Sequence, residues 1–158
     1  MFKAIWEFIK SLFRKPAPLP PPLAIPQTPY EWAIRELGQS EIYGDKHNPR
    51  IVWYHSFTTG KFEDDETAWC ASFMSAATDQ TGYKSLHNAW ARSWANYGEK
   101  GTGEVGEIVV FTRHVGFVAE KYDGGPTVLV LGGNQSNAVT KQRYSVGSDT
   151  VFRKPVKA

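Results

Sequence analysis

The chain holds one cysteine, Cys70, in the stretch DDETAWCASFMSAATDQTGY at residues 64–83. A thiol attacks as thiolate, and a helix N-terminus favours that form through its unpaired N–H groups and macrodipole. Apolar residues at helical spacing follow Cys70, so the sequence predicts a helix whose mouth carries the thiol. Asp64, Asp65 and Glu66 stand just before it and can cap the same terminus. Their charge would oppose a thiolate, so they are expected to face away from the sulfur. A lone cysteine between Trp69 and Ala71 is also the ordinary pattern of a small buried hydrophobe. The nucleophilic reading therefore needs a base within hydrogen-bond reach.

Four histidines are available. His47 and His55 fall in or near a second expected helix, and His87 in a polar loop. His114 lies in VVFTRHVGFVAEKY, at the junction of two β-rich runs. A histidine at the start of a strand, on a rigid sheet that faces a helix N-terminus, is well placed to pair with a cysteine. The next β run, TVLVLGGNQSNAV, ends its apolar part at Leu131 and continues Gly132-Gly133-Asn134-Gln135. A side-chain amide there can accept from the imidazole and fix its tautomer. The glycines would let backbone pass close to a neighbour. The same four residues also read as a simple turn.

The elements that must position these residues are legible in outline. Thr28-Pro29-Tyr30-Glu31 is a capping box with proline at the first helical position, and Gly38 ends that helix. Asn48-Pro49 repeats the device. The Cys70 helix runs to about Gln80, with Gly82 after it, and SLHNAWARSWANYG reads as a short fourth helix ending at Gly98. Beyond Gly106 come EIVVF, VGFVAEKY, TVLVL, AVTKQRYSV and TVFRK, with DGGP as a turn. Helices followed by strands on short turns predict an α+β domain, helices packed on an antiparallel sheet. With 158 residues, six Trp, seven Tyr and nine Phe, one core is well supplied. A formal charge of +2 gives no call for nucleic acid. A single cysteine excludes a disulfide framework and a Cys-cluster metal site, and no metal or cofactor is expected.

The first residues are of another kind. In MFKAIWEFIKSLFRK, residues 1–15, Phe2, Ile5, Trp6, Ile9, Leu12 and Phe13 share one helical face, opposite Lys3, Glu7, Lys10 and Arg14. A proline-rich linker, residues 16–27, separates this helix from the domain at 28–158 and favours extended polyproline backbone. An amphipathic helix on such a spacer reads as a membrane-surface or partner-docking element, or as one folded back on the domain. Glu7 and Lys10 break the apolar run, so no cleavable signal peptide is expected. No apolar run reaches the length of a bilayer span.

In this order AWCASFMSA, ARSWANYG, GEIVVF, RHVGFVAE and VLGGNQSNAV resemble the CHAP-like branch of the NlpC/P60 superfamily. These are cysteine amidases and endopeptidases of peptidoglycan, found in phage endolysins and bacterial autolysins. The resemblance extends over about residues 28–155 and implies a papain-like α+β core. It implies Cys70 as nucleophile, His114 as base and Asn134 as the third residue, with Gln135 as a possible helper. Many relatives carry Glu two positions before this Asn, where this chain has Gly132. Trp69, Trp94 and Gln135 are the implied substrate contacts, although tryptophans at helical spacing also pack inward. The implied partner is peptidoglycan, with a membrane surface for residues 1–15, and a monomer is expected. The implied place is the host cytoplasm before lysis and the periplasm or cell wall in action. The same residues would suit an antagonistic effector or an autolysin, or a non-catalytic wall-binding or virion module on the same fold.

Overall fold

The computed structural model describes residues 24–158, so the expected amphipathic helix and most of the proline-rich linker lie outside the described residues. Local sequence starts each of the first two helices. In α1 (Pro29–Arg35) the Glu31 N–H donates to Thr28 Oγ1 at 3.1 Å, and the Glu31 carboxylate accepts from the Thr28 N–H at 3.2 Å. In α2 (Pro49–His55) Asn48 Oδ1 accepts from the Arg50 N–H at 2.9 Å. The two helices are locked side by side. Arg50 grips the buried Glu36 carboxylate with two N–H groups at 2.6 and 2.8 Å, and the Tyr54 hydroxyl donates to it at 2.5 Å.

Helix α3 (Cys70–Gln80) is the hub, with every residue from Cys70 to Thr78 buried. It packs against α1, α2 and two strands of the sheet. A helix covered on all sides needs small residues for close approach and partners for its hydroxyls. Alanines 71, 76 and 77 meet the first need, and the Thr78 hydroxyl donates back to the Met74 carbonyl at 2.9 Å.

Six strands follow: β1 (Glu99–Lys100), β2 (Ile108–Val110), β3 (Val115–Val118), β4 (Thr127–Gln135), β5 (Ala138–Ser145) and β6 (Val151–Lys154). They form one sheet in the order β1-β6-β2-β3-β4-β5, every pair antiparallel. Strand alternation sorts its residues. Ile108, Val110, Val115, Phe117 and Leu131 face the helices, and Val109, Val118, Val128 and Val130 build a smaller cluster on the other face.

The structure differs from the sequence reading in three local places. The expected fourth helix is only a 3₁₀ segment, Ala91–Asn96. His87 takes a positive φ of 49° and the Asn88 side chain accepts from the Trp90 N–H at 2.7 Å, so side-chain bonding claims the backbone that would have started the helix. Strand β1 is two residues long and carries no readable pattern. The GGNQ stretch is no turn: β4 runs through it, and Ser136-Asn137, at φ 53° and 61°, make the two-residue hairpin turn.

Candidate functional site

Three devices bring the chemistry-bearing residues to one end of the sheet. The first is Gly133. A Cβ there would lie 2.5 Å from the Trp69 ring and 2.8 Å from Phe73 Cβ. Only glycine lets the first turn of α3, with Cys70, rest directly on β4. The second is the tight connection between β2 and β3, closed by the Phe111 N–H donating to the His114 carbonyl at 2.8 Å. It leaves His114 at the head of β3. Its neighbour Val115 turns a backbone N–H towards the Cys70 sulfur.

The third device is a bulge. Gly132 pairs with Thr140 and Gln135 with Ala138, so β4 spends three steps where β5 spends two. Asn134, at φ 57°, lies within the shift. One extra residue inverts the alternation of side chains. Gln135 therefore comes to the face of Gly132 instead of the opposite one. A Cβ on Gly132 would meet Gln135 Oε1 at 2.8 Å and His114 Nε2 at 3.3 Å. The Gln135 amide thus occupies the space that a side chain at 132 would fill.

This geometry fixes a tautomer. Gln135 Nε2 donates to the Thr140 carbonyl at 2.7 Å and to the Val130 carbonyl at 3.2 Å. Two carbonyl oxygens demand the NH₂ end of the amide, so Oε1 must face the ring, 2.9 Å from His114 Nε2. Oε1 only accepts, so His114 carries its proton on Nε2. Its Nδ1 keeps a lone pair, and no hydrogen bond engages Nδ1 among the described residues. The ring is the pattern of a base held by an orienting acceptor.

Burial governs both titrating groups. It pushes the Cys70 thiol up, against the pull of the backbone N–H groups of Val115, Ala71 and Cys70 itself. Burial pulls His114 below the ordinary imidazole value, and the Gln135 hydrogen bond opposes this without overcoming it. Burial therefore opposes the thiolate that the helix mouth favours. It thus disfavours the charged form of both groups.

The acidic run before the helix is turned elsewhere. Asp64 accepts from the N–H groups of Glu66 and Thr67 at 3.0 and 2.5 Å. Asp65 is fully buried and accepts from the N–H groups of Ile42 and Asn48, both at 2.8 Å, with His47 Nδ1 3.0 Å away. Trp69 occupies the cap position of α3, which has no side-chain cap.

Among the sequence-derived residues, the structure pairs His114 with Gln135 and turns the N–H of Val115, next to His114, towards the Cys70 sulfur. The Asn134 side chain makes no hydrogen bond to another described residue, and the bond to His114 comes from the residue beside it. Trp69 and Trp94, read from the sequence as substrate contacts, are both fully buried. Trp69 ties its indole N–H to Glu41 Oε1 at 2.8 Å. Gln135 is buried as well, 1% exposed, with its amide oxygen on His114 Nε2. His55 is buried with Nδ1 against Ser72 Oγ at 2.9 Å, and His87 Nδ1 bonds the Phe57 carbonyl at 2.9 Å. Sequence reasoning missed Tyr144, whose ring lies 4.8 Å from the imidazole at an interplanar angle of 11°. Nothing in a single tyrosine on an alternating strand announces that contact.

The CHAP domain model matches residues 62–134, a span that contains Cys70, His114 and Asn134 and ends one residue before Gln135. Over that part the chain is similar to a family of cysteine hydrolases. The match supports hydrolysis by a cysteine on peptidoglycan-type substrates in general. The helices leading into an antiparallel sheet are consistent with a CHAP-like fold. No curated protein and no solved structure matches the chain.

Proposed function

We propose that the protein is a peptidoglycan amide hydrolase with a papain-like core, in which Cys70 is the nucleophile, His114 the base and Gln135 the residue that orients it. The observation that carries this reading is the 2.9 Å contact between His114 Nε2 and a Gln135 amide whose other end is fixed by two carbonyls. It leaves Nδ1 as the basic atom at the strand end whose next N–H reaches the Cys70 sulfur.

The chemistry is acyl transfer. His114 Nδ1 takes the thiol proton as the sulfur adds to an amide carbonyl of the peptide stem. The Cys70 N–H, at the helix N-terminus, is the natural donor to the developing oxyanion. The imidazolium then gives its proton to the departing amine, which breaks the C–N bond and leaves a thioester. Water, deprotonated by the same Nδ1, adds to the thioester. Collapse of that adduct frees the carboxylic acid, which ionises to solvent, and the imidazolium returns its proton to sulfur.

Lysis of a host by a phage is the setting that suits such an enzyme with an amphipathic leader. In that setting residues 1–15 would engage the membrane surface on the way from cytoplasm to wall. The basic and apolar faces of that segment support this part of the reading.

Purified peptidoglycan digested with wild type, Cys70→Ala and His114→Ala, with products read by mass spectrometry, tests the proposal. Soluble fragments with new amino and carboxyl termini from wild type alone are expected. Equal release by Cys70→Ala would overturn it.

A further inference from the structure

The His114 ring is held at its edge by Gln135 and on its face by a side chain from another strand. Tyr144 of β5 lies parallel to the imidazole, with centroids 4.8 Å apart and planes 11° from coincidence. Phe111, which opens the β2–β3 connection, stacks on the same tyrosine at 5.2 Å and 29° and lies 6.3 Å from the imidazole. The tyrosine and Phe111 in turn pack on the outer cluster of Val109, Val118, Val128 and Val130. Three rings from three segments thus form one stack whose only titrating base is His114.

We infer that Tyr144 is a positioning residue for His114: its ring fixes the plane of the imidazole, shields one face from water, and favours the imidazolium that forms when the thiol proton is taken. This rests on the hydrolase reading for its biological meaning. The physical grounds are separate from it. An edge hydrogen bond alone leaves a ring free to rock about the donor–acceptor line, and a parallel face contact removes that freedom. The π-face of a phenol also attracts a cation more than it attracts the neutral ring. The stabilisation therefore appears as the proton arrives, which is where it helps catalysis.

The groups that face the imidazole are few. Gln135 from β4 and Phe111 from the β2–β3 connection are neutral, and the Tyr144 phenol from β5 titrates, with the Cys70 thiol of α3 near that phenol. Burial first, and the nearby Cys70 second, push the Tyr144 phenol up, so it stays a neutral ring across the working range.

The test is the rate of Cys70 alkylation by iodoacetamide as a function of pH, in the full chain. Cys70 is the only cysteine, so one site is read. Tyr144→Phe should follow wild type, since the ring is kept. Tyr144→Leu, which keeps an apolar cover, should react roughly five- to tenfold more slowly at neutral pH, with the acid limb moved to lower pH. A Tyr144→Leu profile that overlays wild type overturns the inference. If Tyr144→Leu does not fold, NMR of the wild-type imidazole decides. Ring protons shifted upfield by a stacked aromatic face are expected, and unshifted ones contradict it. Alkylation needs no peptidoglycan, so a failure of the hydrolase reading shows only in the digestion, and a failure of the Tyr144 role only here.

Discussion

At the scale of single residues, the site depends on which end of one amide faces one ring. Gln135→Glu would set an oxygen against the Val130 and Thr140 carbonyls, and the loss of those hydrogen bonds should cost about 1–3 kcal/mol in denaturant unfolding. Gly132→Ala should act on the ring as well. Its methyl would press on the Gln135 amide and on His114 Nε2, and moving that buried amide strains its bonds to the Val130 and Thr140 carbonyls. It should cost about 1–3 kcal/mol of stability, and kcat/KM on peptidoglycan should fall up to about a hundredfold, the scale of a misplaced catalytic group. The pH profile follows from burial. If His114 is the base of the proposed hydrolase, its neutral form does the work, and burial holds its pKa below the ordinary imidazole value. Activity should therefore persist through that value, and its acid limb, read from kcat/KM against pH, should lie below it. The positions of Cys70 at a helix start and His114 at a strand start were legible in the sequence because both are local patterns. The Gln135 role was not, because it depends on a bulge that reverses which neighbour faces the ring.

At the scale of elements, two contacts carry predictions. Gly133 lets α3 rest on β4, so Gly133→Ala drives a methyl into the Trp69 ring and should cost about 1–3 kcal/mol by overpacking. His55 of α2 is 1% exposed, bonded to Ser72 through Nδ1, and its Nε2 has no hydrogen-bond partner among the described residues. Burial holds its pKa below the ordinary value, with Asp64 and the Thr67 backbone opposing. The unfolded chain takes up that proton first. The stabilisation is therefore full above the unfolded value and is lost as pH falls through the lowered folded value. His55→Phe should flatten this acid-side slope, measured as denaturant midpoints over a pH series. Capped helices and alternating strands were readable because caps and periods are written within a few residues. The short 3₁₀ segment was not, because a positive φ at His87 and the Asn88 side chain overrode a helical pattern.

At the scale of the whole molecule, residues 1–15 differ in sequence character from the described residues 24–158. No helix among the described residues is long and apolar enough to cross a membrane. If residues 1–15 serve as a surface anchor, a variant beginning at residue 24 should lose binding to anionic vesicles in a flotation assay and keep its rate on soluble peptidoglycan fragments. Within the domain, the order of helices and strands was readable from sequence, because each element announces itself locally. The meeting of α3, β3, β4 and β5 at one sheet end was not, because it is a property of register. The account turns on that meeting, and one comparison tests it most directly: peptidoglycan digestion by Gln135→Ala beside Asn134→Gly. Glycine keeps the positive φ at 134 and removes only the side chain. The account predicts that Gln135→Ala loses ten- to about a hundredfold in rate while Asn134→Gly stays near wild type. The reverse pattern, with Asn134→Gly inactive and Gln135→Ala active, would contradict it.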